Sequence, residues 1–98
     1  MVMGNIVEDT VDAIASDADA TRHKYSEMLS ALLSRFETLD PEMAKRTIEA
    51  LNDRCKAALW LATRHPCFRG HIPYQLIASG QRQDVLDVLG RIEHGTFS

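Results

Sequence analysis

Apolar residues recur every three or four positions along the first forty residues, with polar residues between them. They are Val7, Val11, Ile14, Ala18, Tyr25, Leu29, Leu32, Phe36 and Leu39. This spacing places them on one face of an α-helix, because a helix turns once in about 3.6 residues. The run from Ser16 to Thr21 is poor in apolar residues, so either one long helix crosses it or Asp17 or Asp19 caps a second helix. We favour a break or a frayed first segment, with a firm helix from about Ala20 to Thr38.

The apolar face of this N-terminal segment has two interpretations, and the pattern leaves both open. It packs against the protein's own core, or it pairs with the same face of a second copy. A long helix with a narrow apolar stripe is typical of helices that associate with one another.

A second helix is predicted from Asp40-Pro41-Glu42, where Asp40 can cap the helix and Pro41 suits its first position. Apolar residues follow at Ala44, Ile48, Leu51, Cys55, Ala58, Leu59 and Ala62. The spacing predicts one helix over residues 41–64, in a tight antiparallel hairpin with the first. Cys55 lies on this stripe, and we expect it to be a small buried apolar residue.

The last third of the chain is divided by proline and glycine. His65-Pro66 ends the second helix, since a residue before proline avoids the helical conformation, and residues 65–72 form a loop. Pro73 opens a short helix over 73–79 that Gly80 closes, and residues 81–94 form the last helix, which Gly95 ends. Core positions are predicted at Leu76, Leu86, Leu89 and Ile92. The fold class is therefore all-α: a small helical bundle with an N-terminal helical hairpin and a compact C-terminal helix pair.

Composition and charge narrow the range of partners. The chain has 98 residues and a net charge of −3, which predicts one small domain and argues against non-specific nucleic-acid binding. No apolar run has the roughly 20 residues of a membrane span, and residues 1–12 lack the basic and apolar parts of a signal peptide. Two cysteines suit a reducing compartment. We expect a cytoplasmic protein.

Candidate chemistry is sparse. His65, Cys67 and His71 are acceptable zinc ligands, but they lack the second pair that a structural zinc site has. Isolated glycines do not make a phosphate-binding loop. The only polar run that suits a DNA-recognition helix is Gln81-Arg82-Gln83, which is short. We therefore predict no metal, no cofactor and no enzymatic activity, and DNA binding is disfavoured.

Three segments carry a resemblance to a known family. They are Trp60-Leu61, the proline-led PYQLIASG of residues 73–80, and VLDVLGRIEHGTFS of residues 85–98. The run LGRIEHG followed by one residue, an aromatic and serine is the most specific of them. Residues 55–98 resemble the C-terminal toxin-binding domain of the Xre/MbcA/ParS-like antitoxins.

The resemblance implies a partner and a site. Antitoxins of this family neutralise a RES-domain toxin, which consumes NAD or transfers ADP-ribose, and their C-terminal helix and tail obstruct its active-site cleft. The candidate toxin contacts carried over to this chain are Arg91, Glu93, His94, Gly95, Phe97 and Ser98. The domain organisation that follows is an N-terminal helical region, 1–54, and a toxin-binding domain, 55–98.

The chemistry of these residues suits that role. Gly95 can end the helix and let the tail turn, Phe97 can fill an apolar pocket, and Arg91 can pair with carboxylates or carbonyl groups. The pattern of residues 1–54 does not predict the helix-turn-helix that many family members carry. We therefore expect the N-terminal helices to form a dimer rather than to bind DNA and repress an operon. The alternatives are a DNA-binding transcriptional regulator and a helical dimerisation or scaffold protein.

Overall fold

The computed structural model describes residues 10–95, which form five α-helices joined by short links. The helices are α1 (Val11–Leu39), α2 (Pro41–Leu51), α3 (Arg54–Leu61), α4 (Pro73–Ala78) and α5 (Arg82–Glu93), with a 3-10 turn at Pro66–Phe68. The predicted all-α bundle is confirmed. Within this described range, no helix is both long enough and apolar enough to cross a membrane.

Helix α1 runs without interruption for 29 residues, so the break predicted near Thr21 is wrong. Thr10 caps it: the threonine side chain accepts a hydrogen bond from the N–H of Ala13 at 3.2 Å. Asp17 and Asp19 lie exposed in mid-helix, among alanines whose helix propensity is the highest of any residue. Val7, the first residue of the predicted stripe, lies outside the described residues.

Asp40 is the single residue between α1 and α2, and it serves both helices. Its backbone N–H donates to the carbonyl of Phe36 at 2.8 Å, while its carboxylate accepts from the N–H of Met43 at 3.1 Å. Pro41 occupies the first position of α2. The helix start predicted at this point is confirmed, although Leu39, the last residue of the predicted apolar stripe, is 82% exposed.

The helix predicted over residues 41–64 is two helices, and this is the second correction. Asn52 adopts a left-handed conformation with φ of 55°, which ends α2. Asp53 then caps α3, because its carboxylate accepts the N–H groups of Cys55 at 2.6 Å and Lys56 at 3.0 Å. Asparagine tolerates the left-handed region and aspartate is a favoured cap, so the adjacent pair breaks the helix.

The break changes which residues of α3 face the core. Ala57, Ala58 and Leu61 are buried, whereas Leu59 is 47% exposed. Cys55 is exposed, so its prediction as a buried apolar residue is wrong. The predicted stripe extends the apolar period of α2 into α3, but the backbone turns at Asn52 and Asp53, so the two helices do not share one period.

Two clusters of buried side chains make the core. The first contains Met43, Phe68, Leu76, Val85, Val88 and Leu89, and the second contains Leu29, Leu33, Ala44, Ala58 and Leu61. Phe36, Trp60 and Ile77 pack against both clusters and so join them. Leu76 and Leu89 are buried as predicted, and the predicted core residues Leu86 and Ile92 are half-buried against the first cluster.

Tyr74 places a polar atom inside this core. Its ring packs edge-on against Phe36 with the ring centroids 5.2 Å apart. Its hydroxyl is buried and has no hydrogen-bond partner among the described residues. Burial raises the pKa of this phenol.

We therefore expect Tyr74→Phe to leave the free energy of unfolding unchanged or to raise it by up to about 1 kcal/mol, since it removes an unpaired buried donor but keeps the ring. Tyr74→Ala is the matched comparison, and it should be strongly destabilising because the ring contact with Phe36 is lost. Urea unfolding followed by circular dichroism measures both. A clear loss in the phenylalanine variant would mean that the hydroxyl has a partner in solution.

Candidate functional site

Helix α5 is fixed at its start by the turn before it and by an ion pair. Gly80, with φ of 87°, closes α4, and its conformation is one that a side chain would strain. Arg82 then donates from Nε to Asp40 at 2.9 Å and from Nη2 to Glu42 at 3.2 Å. The first turn of α5 is therefore tied to the corner between α1 and α2.

The two sides of α5 differ in chemistry. Val85, Val88 and Leu89 are buried against the core. Asp84, Asp87 and Arg91 follow one another at intervals of three and four, so they share a second face. All three are exposed.

This second face of α5 forms one wall of an open groove of about 560 Å³. The loop and 3-10 turn before α4 form the opposite wall, and Phe68, Leu76 and Val88 supply a largely buried apolar floor. The lining residues are Cys67, Phe68, Arg69, His71, Leu76, Gln81, Asp84, Asp87, Val88 and Arg91. Charged side chains of both signs therefore surround an apolar base.

The loop wall of the groove is held by contacts of its own. His65 and His71 pair through their backbones, with the N–H of His65 donating to the His71 carbonyl at 3.4 Å. Arg64 donates to the carbonyl of Gly70 at 3.0 Å. The ring of His65 packs on Trp60, with centroids 5.1 Å apart, and its Nε2 lies 2.9 Å from the Trp60 carbonyl oxygen.

These contacts separate the three residues weighed as zinc ligands. His65 turns toward Trp60, whereas Cys67 and His71 line the groove. Between Thr10 and Gly95, no three His, Cys, Asp or Glu side chains come together as a metal site would require.

The structure distributes the predicted toxin contacts over different surroundings. Arg91 lines the groove. Glu93 instead accepts a hydrogen bond from Nη2 of Arg46 at 2.9 Å, which ties the last turn of α5 to α2. His94 caps the helix and Gly95 follows with φ of 70°, so the predicted stop at Gly95 is confirmed.

His94 and Gly95 are both exposed at the end of the helix. The backbone N–H of His94 still donates to the Gly90 carbonyl at 3.1 Å, and that of Gly95 donates to the Ile92 carbonyl at the same distance. Phe97 and Ser98 lie outside the described residues. The described part of the predicted site is thus a helix end beside a groove.

Sequence reasoning missed most of the groove. Asp84 and Asp87 could have been found, because their spacing to Arg91 places them on one face of the last helix. Arg69 and His71 could not, because they come from a loop whose position depends on the packing of Phe68. The pairing of Arg46 with Glu93 joins residues 47 apart in sequence, and no local pattern predicts it.

Comparison with known proteins identifies this region. Residues 48–95 match the family model described as the antitoxin Xre/MbcA/ParS C-terminal toxin-binding domain. No curated protein and no solved structure matches the chain. The matched residues run from Ile48, in the last turn of α2, to the glycine after α5, so they include both walls of the groove and the exposed helix end. The chain therefore carries, in residues 48–95, a toxin-binding domain of the Xre/MbcA/ParS antitoxin family.

Proposed function

We propose that this chain is the antitoxin of a type II toxin-antitoxin system and that it neutralises a RES-domain toxin by binding, without catalysis of its own. The observation that carries the proposal is the family match over residues 48–95. The RES class of the toxin and its use of NAD come from the resemblance of the C-terminal sequence. Toxin and antitoxin would meet in the cytoplasm.

The surface proposed to meet the toxin is the exposed end of α5 together with the adjoining wall of the groove. Arg91 belongs to both, since it lies in the last turn of the helix and lines the groove. In the sequence, that turn is followed by the other proposed contacts, His94, Gly95, Phe97 and Ser98. An arginine that can form paired hydrogen bonds with a carboxylate and an aromatic side chain that can fill a pocket are typical anchors of protein interfaces.

Glu93 differs from the other proposed contacts because it already forms an ion pair within the chain. Because Arg46 holds its carboxylate at 2.9 Å, Glu93 positions the last turn of α5 before any partner arrives. Both side chains remain partly exposed, at 39% for Arg46 and 30% for Glu93. A toxin contact by Glu93 would have to share the carboxylate with Arg46 or displace it.

The division of the chain also belongs to the proposal. Residues 55–98 would provide toxin recognition, and residues 1–54 would provide self-association. A regulator that binds DNA remains the alternative, but the first half of α1 carries the exposed residues Asp12, Asp17 and Asp19, which disfavours contact with phosphates.

Arg91→Glu should weaken binding of a purified RES-domain toxin at least about tenfold, because it reverses the charge at the centre of the proposed contact. Removal of Gly95–Ser98 should abolish growth rescue on co-expression with the toxin. Binding is measured by calorimetry or surface plasmon resonance, and neutralisation by colony counts.

Lys45→Glu is the matched control for the charge reversal, because Lys45 is exposed on α2 and does not line the groove. It should bind the toxin as the wild type does. Circular dichroism establishes that each variant keeps its helix content. Wild-type binding by both Arg91→Glu and the truncated chain would overturn the proposed surface, and the absence of any binding by the wild-type chain would overturn the RES partner.

A further inference from the structure

Most of α1 projects from the bundle. The first of its residues to be buried is Leu29, and every residue from Ile14 to Met28 is exposed. The described residues extend 59 Å along their longest axis and only 30 and 24 Å along the others. In proteins, most helical stability comes from tertiary packing of an amphipathic face, and residues 14–28 bury no side chain within their own chain.

The projecting segment carries an apolar seam with a regular seven-residue period. From Val11 the seam advances by alternating steps of three and four residues, as the core positions of a coiled coil do. Its apolar members are Val11, Ile14, Ala18, Tyr25, Met28 and Leu32, and Thr21 is the one polar residue at a seam position. The large ones are unusually exposed for apolar side chains: Val11 by 80%, Ile14 by 55%, Tyr25 by 50%, Met28 by 58% and Leu32 by 39%.

This seam is distinct from the face that α1 uses in its own fold. Leu29 and Leu33 are 7% and 0% exposed and belong to the second core cluster, which Phe36 also contacts. Around the helix, the mean direction of Leu29 and Leu33 lies roughly a quarter of a turn from the mean direction of the seam residues Tyr25, Met28 and Leu32, and Phe36 lies between the two faces. Packing within one chain therefore leaves the seam uncovered.

Charges beside the seam indicate what covers it. Each seven-residue repeat has two core positions, here Ala18 and Thr21. In a parallel two-stranded coiled coil, the residue before the first core position lies beside the residue five places later on the partner helix. Here those positions hold Asp17 and Arg22, which have opposite charges. They are too far apart to pair within one helix, where neighbours are three or four residues away. Two copies in parallel would form this pair twice, once on each side of the seam.

We infer that two copies of this chain associate through the seam as a parallel coiled coil, with Asp17 of each copy paired with Arg22 of the other. Because the core face lies to the side of the seam, a two-fold axis along the helices would place the two bundles on opposite sides of the coiled coil. The inference gives the proposed self-association a surface, an orientation and a register. It does not require a toxin.

The test is the mass of the full-length protein in sedimentation equilibrium, without toxin. The wild type should have twice the chain mass. Ile14→Lys combined with Tyr25→Lys should raise the dimer dissociation constant at least about tenfold, because two pairs of charges would be buried between the helices. Ser16→Lys combined with Ala20→Lys adds the same charge on the opposite face of the same segment, and it should remain dimeric.

Charge exchange tests the orientation. Asp17→Arg and Arg22→Asp should each weaken the dimer, and the double exchange should restore it. A monomeric wild type, or a seam variant that stays dimeric, would overturn the coiled coil. Single exchanges without effect would overturn the parallel register. A monomer that still neutralises its toxin would leave the proposed antitoxin function intact, so the two failures are distinguishable.

Discussion

Replacement of Leu61 by alanine should lower the free energy of unfolding by about 3 kcal/mol, the middle of the range for truncation of a fully buried leucine. Leu61 is 0% exposed and belongs to the second core cluster with Leu33 and Ala58. It also lies on the short helix α3, whose eight residues have little stability without tertiary packing. The substitution therefore removes apolar contact, leaves a cavity and loosens the attachment of α3 to α1.

Leu59→Ala is the matched control, because it makes the same chemical change two residues earlier on the same helix. Leu59 is 47% exposed, and leucine and alanine both favour helix, so we expect a change within about 0.5 kcal/mol. Urea unfolding at one fixed protein concentration, followed by circular dichroism, measures both variants. Equal losses of unfolding free energy in the two variants would mean that α3 does not bury Leu61 and expose Leu59 as described above.

That comparison also tests the point at which sequence reasoning failed on the fold. The predicted stripe places Leu59 inward because it extends the period of α2 through Asn52 and Asp53. The two polar residues are good helix-ending and helix-starting residues respectively, but they fall within an apolar series that continues on both sides. Whether such a pair breaks a helix depends on whether the two halves bury more surface separately, which is a property of the folded bundle.

The opposite error was made in α1, where a run of small and acidic residues predicted a break. The helix continues through that segment, in which Ala13, Ala15, Ala18 and Ala20 have high helix propensity. Boundaries marked by proline and glycine were more secure. Proline restricts φ at Pro41 and Pro73, glycine permits the positive φ at Gly80 and Gly95, and Asp40 caps its helix. Each effect is local, so the sequence states it directly.

In the candidate site, too, some residues could be predicted from the local sequence and others depend on tertiary packing. The resemblance implies that Arg91, His94 and Gly95 contact a toxin, and the structure places these three residues exposed at the end of the last helix. The groove beside them was not predicted, because its other wall comes from a loop that reaches α5 only through tertiary packing of Phe68. Local periodicity finds one wall of such a site, and the fold supplies the other.

Asp40 makes one local and one long-range interaction: it caps α2, and it binds Arg82, which is 42 residues away in the sequence. Asp40→Ala should remove both interactions. Loss of the cap costs about 1 kcal/mol, and loss of the Arg82 contact adds to it by releasing the first turn of α5. Asp40→Asn should be milder, because asparagine caps a helix about as well as aspartate but lacks the charge. Glu42→Gln is the control, since the Glu42 side chain is 79% exposed and should contribute little to stability.

The charge of Asp40 also makes stability depend on pH. Hydrogen bonds from the Arg82 guanidinium, followed by the bond from the N–H of Met43, hold the pKa of Asp40 below its usual range, against the opposing effect of partial burial. Since the folded pKa lies below the unfolded value of about 3.9, the stabilisation is fully present above that value and is lost as the pH falls through the folded pKa.

The wild type should therefore exceed Asp40→Asn in unfolding free energy at neutral pH, and the difference should shrink on acidification below about pH 4. Other carboxylates titrate in both proteins, so the difference isolates Asp40. A difference that stays constant or grows between neutral pH and pH 3 would show that the ion pair between Asp40 and Arg82 does not stabilise the fold.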